Sequence, residues 1–114
     1  MTEETIFTKI INGDIPSDTI YEDEHCICIR DIAPQAPTHL LVIPRKPIPK
    51  LADMTPEDKP LLGHLMLTIG NIAQQVGVGD AFRVVINNGA NAGQTVFHLH
   101  FHILAGHPFS EGLV

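Results

Sequence analysis

The spacing of apolar residues changes along this chain, and each change marks an element. Ile6, Phe7, Ile10 and Ile11 recur at helical spacing, which predicts a short helix over residues 5–11 with Thr5 as its N-cap and Gly13 beyond its end. Three β-rich runs follow, at residues 19–22, 26–31 and 39–43. Pro34 and Pro37 separate the last two, since neither can donate to a ladder. Residues 44–50, basic and interrupted by prolines, read as a solvated connector. The clearest helix comes next. Thr55 caps it, Pro56 takes the first position, and Glu57 and Asp58 suit the positive end of its dipole. Leu61, Leu65, Ile69, Ile72 and Val76 make one stripe, which Gly77 ends. Pro60, Gly63 and Gly70 run against the helical pattern. Gly63 and Gly70 lie two turns apart on one face, where another backbone could approach closely in a dimer, and His64 is expected at the surface or an interface.

The remainder reads as a hairpin: a strand over residues 82–87, a glycine- and asparagine-rich loop over 88–94, and a strand over 96–104. Five strands, one short and one long helix, and no βαβ alternation predict an α+β fold with a five-stranded antiparallel sheet. No repeat, low-complexity tract or linker divides residues 1–114, so a single domain is expected.

Composition narrows the function. With 44% hydrophobic and 18% charged residues the chain reads as a soluble globular protein. Its net charge of −6 makes nucleic acid and anionic membranes poor partners. Any phosphate must therefore be met locally, by amides, histidines or a few basic groups. The acidic start lacks a signal-peptide core, and no apolar run approaches the ~18 residues of a membrane span, so a cytoplasmic location is expected. Cys26 and Cys28 are expected as reduced, partly buried thiols.

The chemistry concentrates in GQTVFHLHFHIL, residues 93–104. On a strand, His98, His100 and His102 share one face while Phe97, Leu99, Phe101 and Ile103 turn to the core. Three readings compete. The imidazoles could be the polar face of a half-exposed strand, but three in register with no Lys, Glu or Ser among them argue against it. They could hold zinc, yet His98 and His102 would stand ~13 Å apart, too far to share one ion, and no cysteine or carboxylate flanks them. A site using His39 as well would still be possible. The third reading, which we favour, is attack on phosphorus. Neighbouring imidazoliums ~6.6 Å apart repel by ~2.5 kcal/mol at an effective dielectric of 20, so the row holds few protons at neutral pH and a neutral nucleophile is available. The adjoining loop adds amides at Gly89 and Gly93 and the side chains of Asn87, Gln94 and Thr95. No metal and no cofactor is called for.

With these residues in view, the chain resembles the histidine-triad (HIT) superfamily, whose signature of alternating histidines and apolar residues matches His98-Leu99-His100-Phe101-His102-Ile103-Leu104. It is most similar to the branch of histidine-triad nucleotide-binding proteins. The likeness runs from TIFTKIINGDIPSDTIYED through RDIAPQAPTHLLVIPRKPI and LLGHLM to GQTVFHLHFHILAG, nearly the whole chain. The resemblance implies a homodimer that hydrolyses purine nucleoside 5′-monophosphoramidates and aminoacyl adenylates through a nucleotidyl-histidine. It implies His100 as nucleophile, His98 and His102 flanking it, and His39 as a fourth histidine. It also implies Asn87 and Thr95 at the phosphate, Asp31 at the ribose hydroxyls, and Ile6, Phe7, Ile10 and Ile32 around the base. The chain departs from that pattern in Thr95, where serine is usual, in Pro47, where histidine is common, and in a tail over residues 107–114 without tryptophan, which bears on the amine leaving group. Rival readings are a dinucleoside polyphosphate hydrolase and a nucleotide-binding module with incidental turnover.

Overall fold

The computed structural model describes residues 4–111. The first three residues of the acidic start and the last three of the tail lie outside it. Helix α1 (Ile6–Ile11) begins where expected: the Thr5 hydroxyl accepts the amides of Phe7 and Thr8, and the Thr8 hydroxyl takes the Thr5 amide at 2.7 Å. Six residues are too few for a helix to persist alone, so α1 depends on burying Phe7 against the sheet.

That sheet has five antiparallel strands: β1 (Thr19–Glu22), β2 (Cys26–Arg30), β3 (Thr38–Pro44), β4 (Phe82–Val85) and β5 (Phe101–Ala105), in the order β1-β2-β3-β5-β4. Both faces are covered. Helix α2 (Lys59–Gln75) lays Leu65, Ile69 and Ile72 on one face, over Cys26, Cys28, Leu40, Val42, Phe101 and Ile103. Helix α1 covers Ile27, Ile29, Leu41 and Ile43 on the other. This is the α+β architecture expected. A 3-10 turn, Pro56–Asp58, precedes α2, so Pro60 falls in the helix's first turn, where its missing amide costs nothing. Cys26 and Cys28 are unbridged and fully buried.

The hairpin differs from expectation. Residues 96–100 lie outside the ladder; β5 starts only at Phe101, and β4 stops at Val85. Pro44 supplies the reason. In register with Val42↔Phe101, it would face Leu99, but it has no amide to offer, and the Leu99 amide instead reaches the Ile48 carbonyl at 2.7 Å. Phe97, expected in the core, is 42% exposed. The connector over residues 44–50 is likewise more than a solvated link, since Ile48 is buried and its carbonyl holds this segment.

Candidate active site

The end of β2, the middle of β3, helix α1 and the segment before β5 converge on a cavity of about 210 Å³. Ile6, Phe7, Ile10, Ile29, Leu41 and Val96 line its apolar part, and Ile32, almost fully exposed, stands at its edge. Asp31, Thr95, His100 and His102 give it a polar end. Pockets that enclose a whole drug-sized ligand measure about 300–1,000 Å³, so this one suits a single planar ring with the polar remainder outside.

Sheet geometry explains the polar end. His39 on β3 and His102 on β5 point to the α1 face, offset diagonally in a register that pairs Leu41 with His102. Their rings meet, with His39 Nε2 2.8 Å from His102 Nδ1. The direction of that bond follows from a third contact. The Gln35 amide donates to His39 Nδ1 at 3.0 Å, so the neutral His39 ring carries its proton on Nε2 and gives it to His102. Asp31 Oδ2 lies 3.4 Å from the same His39 nitrogen, while Asp31 Oδ1 accepts the Ala33 amide at 2.8 Å. His102 must then bear its own proton on Nε2, and that N–H is buried with no partner among the described residues. The neighbouring His100 is set the opposite way. Its Nδ1–H donates to the His98 carbonyl at 2.8 Å, which leaves Nε2 as a bare lone pair. A neutral imidazole nitrogen free to attack thus adjoins an imidazole N–H with nothing to bind, with ring centroids 5.1 Å apart.

Burial holds both rings in that form. Desolvation pushes His100 below the ordinary histidine value, against the opposing pull of its bond to the His98 carbonyl and of Asp31. Desolvation, with His100 and His39 adding to it, takes His102 down to about 4. His98 is lowered as well, chiefly by burial.

The row of three histidines does not act as one face. His98 sits outside the cavity, with Nε2–H on the Pro44 carbonyl at 2.7 Å; it anchors the segment that carries His100. His39 stands behind His102 and does not line the cavity. Gln94 is engaged within its loop, giving Nε2 to the Pro49 and Val96 carbonyls and accepting the Gly89 amide on Oε1. Asn87 is likewise not among the lining residues. Ile29, Arg30, Leu41 and Val96 line the cavity without having been singled out by sequence. The first and third of these are direct cross-strand partners. Their only signal was a place in buried runs, where both faces are apolar and no alternation distinguishes one face from the other. Asp31, His39 and His102 also present ligand atoms within 4.8 Å of one another, a set that could hold a metal ion.

A model of the HIT domain matches residues 12–109 of this chain. The chain belongs to the HIT domain family. The chain is 58% identical over 110 residues to an uncharacterized HIT-like protein of Synechocystis, covering 96% of each. It is 45% identical over 114 residues to the purine nucleoside phosphoramidase of Escherichia coli K12, covering 99% of this chain and 96% of that one. Among solved structures, a HIT family hydrolase from Clostridium thermocellum superposes with a TM-score of 0.94 at 36% identity over the whole of both chains. One from Legionella pneumophila gives 0.92 at 38% identity, covering 95% of this chain and 97% of that one. These likenesses support a hydrolase role for this HIT domain.

Proposed function

We propose that this chain, acting as a single HIT domain, hydrolyses purine nucleoside 5′-monophosphoramidates through a covalent nucleotidyl-histidine on His100. The purine enters the slot between Ile6, Phe7, Ile10 and Ile32, Asp31 accepts the ribose hydroxyls, and the α-phosphate lies at the polar end. His100 Nε2 attacks phosphorus, the P–N bond breaks, and the amine departs with a proton taken from solvent. Water then cleaves the P–N bond to His100 and releases the nucleoside monophosphate, so one hard displacement becomes two easier ones. The observation that carries this reading is the pairing of a bare His100 Nε2 with an unpartnered His102 N–H. The latter sits on a ring that lines the cavity beside His100, and as a donor without a partner it would meet charge building on a phosphoryl oxygen there. Thr95 lines the same end and would contact the leaving group. The name of the Escherichia coli relative supports the substrate class.

The same reading includes a homodimer. Gly63, Met66, Leu67 and Gly70 follow one face of α2. Leu67 is 74% exposed, and among the described residues nothing stands within 4 Å of where either glycine's Cβ would be. Strand β4 lies at the sheet edge beside this helix in sequence, with its outer ladder open to pairing. A cytoplasmic location fits the absence, among the described residues, of any helix long and apolar enough to cross a membrane.

The test is direct. Adenosine 5′-phosphoramidate should yield AMP, and rapid quench should give an intact-mass increase of one nucleotidyl group, with both lost in His100→Ala. Unchanged turnover in that variant would remove His100 as the nucleophile.

A further inference from the structure

A second cavity, of about 440 Å³, opens beside the N-terminal part of α2 and the β1–β2 turn, and the reaction proposed above makes no use of it. Glu24, His25, Glu57 and His64 are among its lining residues. Next to it, three elements bring together a carboxylate, a thiol and an imidazole. Asp23 comes from the turn, Cys26 opens β2, and His64 lies on α2; their ligand atoms all fall within 4.8 Å of one another. The cluster lies across the sheet from the catalytic histidines, since Cys26 belongs to the core beneath α2, and at the other end of β2 from Asp31.

The two oxygens of Asp23 have separate tasks. Oδ1 accepts the amides of His25 and Cys26 at 2.8 and 2.9 Å, which fixes the carboxylate as part of the turn. Oδ2 accepts the Tyr21 hydroxyl and the His64 Nε2–H, each at 2.7 Å. The His25 ring stands 4.9 Å from the His64 ring, centroid to centroid; its side chain is half exposed, and turning toward the cluster would mean giving up its 3.2 Å contact with Glu24 Oε1.

We propose that Asp23, Cys26 and His64 form a second site, for a zinc-type cation, with His25 as the side chain that completes a tetrahedron. A thiolate with imidazole ligands selects zinc over magnesium or calcium, and ligand atoms within 4.8 Å need only a small contraction to reach the ~3.5 Å separations found around zinc. Glu24 and Glu57 at the cavity add negative charge where a cation would enter, while Lys46, the cation that also lines it, is paired with Asp58. In binding, the cation takes the place of the Cys26 thiol proton, which passes to solvent. His64 moves its proton from Nε2 to Nδ1 and coordinates through Nε2. Tyr21 keeps its bond to Asp23 as an outer partner. No electron is transferred, and nothing in this site depends on the nucleotide reading.

Cobalt(II) discriminates this site from the sulfur-free trio Asp31, His39 and His102. Titrated into the reduced full-length chain, one equivalent should produce a thiolate-to-cobalt charge-transfer band in the near ultraviolet together with tetrahedral visible bands, and zinc should bleach both. The band should survive His102→Ala and Cys28→Ser, vanish in Cys26→Ser, and require at least ~10-fold more cobalt in His64→Gln. Far-ultraviolet circular dichroism checks that each variant is folded, and His64→Gln, on a partly exposed helix position, serves if Cys26→Ser does not fold. A wild-type chain without the charge-transfer band, a band that persists in Cys26→Ser, or wild-type affinity in His64→Gln would overturn the proposal.

Discussion

At the scale of single residues, proton placement governs the site. The Gln35 amide decides which nitrogen of His39 is protonated, His39 decides His102, and the His98 carbonyl decides His100. Removing any one of these contacts leaves every ring present but permits the wrong tautomer. A pH prediction follows from burial. In the proposed reaction His100 must be neutral to attack, and desolvation lowers its proton affinity below that of an ordinary histidine. The acid limb of kcat/KM for a phosphoramidate should therefore have its midpoint below pH ~6.5, with activity retained above it and lost as pH falls through it. A midpoint above the ordinary histidine value would show that His100 titrates as a charged, partnered ring. The four histidines were singled out from sequence; Gln35 and the division of labour among the rings were not. His98, Gln94 and His39 are each polar and adjacent in sequence or register to the cavity, yet they face the loop, the ladder end or the back of His102. Which lone pair a carbonyl captures depends on contacts up to 63 residues apart in sequence, and no spacing rule reports them.

At the scale of elements, α1 lines much of the apolar part of the cavity, the proposed base slot, although it is only six residues long. Its start rests on reciprocal bonds between Thr5 and Thr8. Thr5→Ala should cost about 1 kcal/mol in chemical denaturation and raise KM for the nucleotide more than it changes kcat, because it loosens Ile6, Phe7 and Ile10 without touching the histidines. Such elements are readable because their signals are local: the Thr5 cap and Gly13 bracket α1, and residues 19–22 form β1 within the expected limits. β5 was over-extended because Val96, Phe97 and Leu99 continue the apolar pattern that leads into Phe101. The ladder's end is set instead by Pro44 on another strand, through the amide it lacks and the carbonyl it gives to His98.

At the scale of the molecule, a sheet covered on both faces separates two chemistries, with the histidine site under α1 and the cysteine-bearing core under α2. The outer side of α2 leaves Leu67 and Met66 exposed beside two glycines, an arrangement suited to a second copy of the same helix. Light scattering after gel filtration should give twice the chain mass, and Leu67→Glu should shift it toward one chain while circular dichroism stays unchanged; a wild-type chain eluting at single mass would refute the dimer. The anchoring of His98 to the Pro44 carbonyl has a consequence for divergence among related enzymes. Because the segment is moored there, two residues ahead of His100, the stretch from Asn88 to Phe97 can change its length or composition upstream of the mooring without displacing the His100 ring. In the proposed phosphoramidase reaction, preference for one amine over another can then drift through that stretch while the displacement chemistry stays fixed.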